Sequence, residues 1–161
     1  MEGDPDPRPE VPGDDEDELR HRQLGELLQE MRVALPGVQV LLAFLLTVPF
    51  QQRFATVGTF GHNLYIAALL FAAAAVGLLV GPTAYHRILF GRHDVDHVIK
   101  VGNRMAIAGL ACLMLAIACA IALATSLVDR HAVAAAFGAG TLLFLAMLWF
   151  VLPLLRRRLT A

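Results

Sequence analysis

Polar side chains recur at a regular spacing within the first long apolar segment of the chain. Gln39, Thr47 and Gln51 are separated by multiples of four residues, and an alanine fills the remaining position of the series. On an α-helix this spacing gathers the side chains along one slowly drifting side. If the helix extends toward the N-terminus, Gln29 and Arg32 share roughly that side. The pattern predicts either the lining of a water-filled path or hydrogen bonds between helices, since polar groups are costly in a membrane unless they face protein or water.

Two carboxylates, Glu26 and Glu30, lie one helical turn apart just before this segment. Like charges at this spacing repel by a few tenths of a kcal/mol. The repulsion is relieved where Arg22, Arg32 or a bound cation lies between them. The pair therefore indicates either a solvated helix face or a weak cation site.

His93 and His97 are also one turn apart, with Asp94 and Asp96 between them. Two imidazoles on one helix turn can share a metal ion, but a closed site needs further ligands. The alternatives are a charged helix beside the membrane, a pH-responsive patch, or contact with anionic headgroups. We expect no bound metal here.

Motifs of enzymes are missing from the sequence. It contains no zinc-protease HExxH, no CxxC pair, no nucleophile elbow and no phosphate-binding glycine loop. We expect a protein that is not an enzyme and needs no cofactor.

The composition is that of a membrane protein, with 57% hydrophobic and 17% charged residues in a chain of 161. Four apolar segments approach the roughly 20 residues that a helix needs to cross the hydrocarbon core; they cover residues 33–50, 64–84, 105–128 and 132–155. Short connections make consecutive helices antiparallel neighbours. The predicted fold is all-α, a four-helix transmembrane bundle over residues 36–161.

The N-terminal part of the chain is different. Residues 1–17 are rich in proline and acidic side chains and have almost no large apolar side chains, so we expect a disordered tail. Residues 18–35 place leucines at helical spacing with charges mostly on the other side, which predicts a cytoplasmic amphipathic helix before the bundle.

Basic residues near the spans are distributed unequally between the two sides of the predicted bundle. One side has only Arg53 and Arg130, while the other has ten. These ten are Arg20, Arg22, Arg32, Arg87, Arg92, Lys100, Arg104, Arg156, Arg157 and Arg158. Because the basic side faces the cytoplasm, this asymmetry predicts an inner-membrane protein with both termini inside.

Ionisable side chains are missing from the middle of all four predicted spans. Carriers that couple transport to protons or sodium usually need such a group at membrane depth. Helices two to four are instead rich in alanine and glycine, and the Ala134-x-x-x-Gly138 spacing allows close helix packing. This packing serves either the bundle itself or a homo-oligomer.

Several blocks of the sequence resemble a family of small actinobacterial four-helix membrane proteins of unknown function. The most specific blocks are ELLQEMRV, GVQ and AFLLTVPF, at residues 26–33, 37–39 and 43–50. Later blocks are YHR, NR and LPLLRR, at residues 85–87, 103–104 and 152–157. Members of that family are sometimes labelled sodium:proton antiporters, so the resemblance implies ion exchange.

Two functions remain open from the sequence. The first is passage of a small ion or solute along the polar side of the first span, at a subunit interface because four short helices enclose little space. The second is a non-transporting accessory or structural role, in which the basic surface and the acidic tail bind lipids or partners. The expected partners are the lipid bilayer and a second copy of the chain, and not nucleic acid.

Overall fold

The computed structural model describes residues 25–26, 29, 35–88, 95–128 and 131–159, and this part of the chain is all-α. Its helices are α1, α2, α3, α4 and α5, which cover Leu35–Phe50, Thr59–Ile88, Val95–Ser126, His131–Ala146 and Leu152–Leu159. A π-helical turn, Met147–Val151, joins α4 to α5. A short 3-10 helix, Gln52–Thr56, lies in the connection between α1 and α2.

Three stretches are long and apolar enough to cross a membrane, namely Thr59–Ala84, Ile99–Ser126 and His131–Arg156. The described part of the first predicted span, Leu35–Phe50, is shorter. It rises about 24 Å at 1.5 Å per residue, against a hydrocarbon core of roughly 30 Å. Within the described residues, three apolar helices are therefore long enough to span a membrane and a fourth is shorter.

The helices extend beyond the predicted spans, most clearly at the starts of α2 and α3. Helix α2 begins at Thr59 rather than at residue 64, and α3 begins at Val95 rather than at residue 105. Both extensions are helical, but they contain polar residues that lower their mean hydropathy. They therefore lie outside the predicted apolar segments. The tail over residues 1–17 lies outside the described residues. So does most of the segment over residues 18–35, of which Gly25, Glu26, Gln29 and Leu35 are described and are helical.

The core lies where α1, α2 and α3 meet. One cluster joins Val38 of α1 to Ala75 and Leu79 of α2. A second cluster joins Leu45 of α1 to Ala68 of α2, together with Ala72 and Ala116. Because later residues of α1 meet earlier residues of α2, the two helices are antiparallel.

Helix α4 packs on α3 rather than on α2. Ala134 and Gly138 are its buried residues. A Cβ added at Gly138 would lie 2.8 Å from the Cβ of Ala122 and 3.2 Å from the carbonyl oxygen of Ala118. The small-residue spacing on α4 therefore serves packing within this chain.

The two ends of the helices have different exposed charges. At one end, which we call the basic end, α3 begins and the last helix finishes, and Lys100, Arg104 and Arg158 are exposed there. At the opposite end, α1 connects to α2 and α4 begins, and Arg53 is exposed. Within the described residues, basic side chains thus collect mainly at one end.

Candidate functional site

The polar series of the first span lies on the surface of the structure, not in its core. Val38 and Leu45 are 0% and 3% exposed and fix which side of α1 faces the core. Thr47 follows Val38 by about two and a half helical turns, so the two side chains point in opposite directions. Gln39 is also exposed. We call this side the outer face of α1; its exposed residues are Gln39, Val40, Ala43, Phe44, Leu46 and Thr47.

The outer face has a narrow polar line between large apolar side chains. Val40, Phe44 and Leu46 are 55%, 68% and 53% exposed. They flank the line formed by Gln39, Ala43 and Thr47. The face can therefore pack against another apolar surface while presenting a row of polar or small groups.

The two polar residues within the helix differ in their hydrogen bonds. The hydroxyl of Thr47 donates to the carbonyl oxygen of Phe44 at 2.7 Å, so its proton is satisfied within α1. Thr125 and Thr141 use the same arrangement, with bonds of 2.8 and 2.9 Å to their own helices. The amide of Gln39 makes no hydrogen bond to any residue in the described part of the chain.

Gln51 does not continue the polar line as the four-residue spacing predicted. The last residues of α1, Val48–Phe50, form a 3-10 turn, and Gln51 caps it in an extended conformation with ψ of 134°. The cause is Pro49, which has no backbone N–H and so removes one helical hydrogen bond. Gln51 is exposed at the helix end and not on the outer face.

The other predicted site residues are only partly within the described structure. Glu26 and Gln29 are helical and exposed. Glu30, Arg32 and His93 lie outside the described residues, and His97 is described only as part of the backbone of α3. Within the described part of the chain, no three His, Cys, Asp or Glu side chains form a metal-binding group. The carboxylate and metal predictions stay predictions.

An aromatic cluster that the sequence did not predict holds the connection between α1 and α2. The ring of Phe54 lies 4.9 Å from that of His62 and 5.1 Å from that of Tyr65, between centroids. The Nδ1 atom of His62 lies 3.2 Å from the carbonyl oxygen of Gly58. Phe54 comes from the 3-10 helix, so the cluster fixes this connection on the first turns of α2. Sequence spacing alone could have paired only His62 with Tyr65.

An apolar groove opens on the surface between α2 and α4, with α3 as its floor. Its volume is about 220 Å³. The lining residues are Phe60, Leu64, Leu115, Ala118, Cys119, Ala122, Ala135, Gly138, Ala139 and Leu142. The groove forms because α4 packs on α3 through small side chains without closing onto α2. Small residues on α3 and α4 were the sequence signal, but they indicated close packing rather than a groove.

The chain was compared with known families, proteins and structures. Residues 13–153 match a family described as a family of unknown function, DUF6328. No curated protein and no solved structure matches the chain. The family match covers both the outer face of α1 and the groove, and extends over most of the sequence. The chain therefore belongs to this family of unknown function.

Proposed function

We propose that the protein assembles through the outer face of α1 and that a small ion or polar solute passes between subunits along its polar line. The observation that carries the proposal is the placement of Gln39. Its side chain is exposed about 100° around α1 from the buried Val38, and its amide has no hydrogen-bond partner among the described residues. A lipid-facing amide is costly, because lipid tails offer no hydrogen bonds. A second copy of α1 or a column of water would remove that cost.

The arrangement of the outer face supports contact between copies. A glutamine amide both donates and accepts hydrogen bonds, so the same residue in two subunits is self-complementary. The exposed flanks, with Phe44 at 68% and Val40 at 55%, supply apolar area for packing. In a ring of subunits these flanks would meet while Gln39 and Thr47 faced the axis.

A path within one chain has less support. The groove between α2 and α4 is lined by apolar side chains and Cys119. None of the apolar helices has a carboxylate along its membrane-spanning part. The proposal is accordingly passage between subunits and not sodium–proton exchange, and it involves no enzymatic step.

Flux through proteoliposomes tests this proposal. We expect wild-type protein to pass at least one of K⁺, Na⁺, Cl⁻ and glycerol, and Gln39→Leu with Thr47→Val to lower that flux by about tenfold or more, because apolar side chains do not replace hydrating water. The matched control is Gln52→Leu with Thr141→Val, which makes the same changes in the connection and on α4. Control flux should equal that of wild type.

The second candidate is a non-transporting accessory protein, which is favoured by the apolar flanks and by the internal hydrogen bond of Thr47. In that case the double variant would weaken assembly, at about 0.6 kcal/mol for each interhelical hydrogen bond that it removes, and wild type would show no flux. If the protein in detergent is a single chain of 17.4 kDa, this result would contradict both the assembly through α1 and the path between subunits.

We propose that the basic end faces the cytoplasm of a cell with an inner membrane, so that both termini are cytoplasmic. Support comes from Lys100, Arg104 and Arg158, which are exposed at that end. Such residues remain on the cytoplasmic side during insertion.

A further inference from the structure

We propose that the groove between α2 and α4 binds one acyl chain of a membrane phospholipid. The floor of the groove is made by Ala118, Cys119 and Ala122 of α3. Its walls come from two helices that both pack on α3, and its lining has no charged side chain. This inference is independent of the path along α1, which lies on a different surface.

The depth of the groove matches one leaflet. Phe60 and Ala135 line it within about one turn of the helix ends at the end opposite the basic end. Leu115 and Leu142 line its deepest part. Leu142 follows His131, the first residue of α4, by about three turns, or roughly 16 Å. Half of a hydrocarbon core of roughly 30 Å is about 15 Å, so the groove ends near the bilayer midplane.

The width of the groove decides between a lipid chain and a second protein helix. A volume of about 220 Å³ over that depth gives a mean cross-section of roughly 14 Å². A helix with side chains is about 10–12 Å in diameter and occupies roughly 80 Å² or more. A partner helix is therefore too wide to enter the groove and could only lie across its mouth. A single hydrocarbon chain is the occupant that fits.

The mouth of the groove suits an amphiphile. The rings of Phe60 and His131 are 5.2 Å apart between centroids, at the level where α2 and α4 begin. His131 is exposed there. An acyl chain in the groove would therefore leave its polar headgroup beside an aromatic and imidazole pair, at the level of the membrane interface.

Photo-crosslinking tests the assignment. Full-length protein is reconstituted in vesicles of phosphatidylcholine in which one acyl chain has a diazirine near its methyl end, and cross-linked peptides are mapped. We expect labelling centred on Leu115 and Leu142. Ala139→Leu, which fills the groove, should lower labelling of those peptides at least fivefold. Ala136→Leu is the matched control, because Ala136 follows the lining residue Ala135 on α4 but does not itself line the groove, and it should leave the labelling unchanged.

Two results would overturn the assignment. Equal labelling of every apolar helix face, with no effect of Ala139→Leu, would show ordinary bilayer contact. Rapid disulfide formation between two chains that carry Ala135→Cys or Ala139→Cys would show that a second copy covers the groove. Because Ala136 and Ala139 are exposed, the leucine variants are expected to fold; an unchanged melting temperature confirms this.

Discussion

Gly138 lies where α4 comes so close to α3 that a methyl group has no room. In Gly138→Ala the new Cβ would lie 2.8 Å from the Cβ of Ala122, and that atom has no flexible end that could move away. Overpacking of this kind costs about 1–3 kcal/mol. Alanine also favours helix by up to about 1 kcal/mol over glycine, which opposes part of the loss.

Gly140→Ala is the matched control, because it makes the same change on the same helix where no atom lies within 4 Å of the added Cβ. The difference between the two variants isolates packing, and we expect Gly138→Ala to be the less stable by about 1–3 kcal/mol. Thermal unfolding in detergent measures it, at roughly 2–4 °C per kcal/mol for a chain of this size. Equal melting temperatures would refute the close approach of α3 and α4.

Further predictions concern the connection, the tail and the topology. Phe54→Ala should lower stability by about 1–3 kcal/mol, since it removes two aromatic pairs worth about 0.5–1.5 kcal/mol each; Phe50→Ala, at a side chain 87% exposed, is the control in the same thermal assay. Deleting residues 1–17 should leave the melting temperature and membrane insertion unchanged, and a large loss of folded protein would show that the tail is docked. Single cysteines at Arg53 and His131 should react with an impermeant reagent added outside, while cysteines at Arg92 and Thr160 should not; the reverse pattern would invert the topology.

Hydropathy was sufficient to predict the all-α class. A run of roughly 20 apolar residues indicates a membrane-spanning helix whichever side of that helix packs against its neighbours. The early starts of α2 and α3 could not be found in that way. The first turns of α2 and α3, which begin at Thr59 and Val95, mix polar with apolar side chains, so the most apolar segments of the sequence begin later than the helices do. The end of α1 could have been predicted from the sequence, since Pro49 lies in the 3-10 turn that ends its α-helical part.

The direction of the polar line could not be predicted, because α1 has apolar side chains on every side. Val38 and Leu45 face the core, whereas Val40 and Phe44 face outward, although the four side chains are chemically alike. Packing against α2 and α3 decides which set is buried. The groove could not be predicted either, since it depends on α4 packing on α3 while meeting α2 only near its first residue, where His131 contacts Phe60.

Disulfide cross-linking at Gln39 tests the central claim most directly, namely that the outer faces of α1 meet between subunits. In a chain carrying Cys112→Ala and Cys119→Ala, Gln39→Cys should form a covalent dimer rapidly under mild oxidation in native membranes. The control is Phe144→Cys, at a position 66% exposed on α4, where we expect little dimer. Dimer formation at equal rates at both positions, or none at Gln39, would contradict the account.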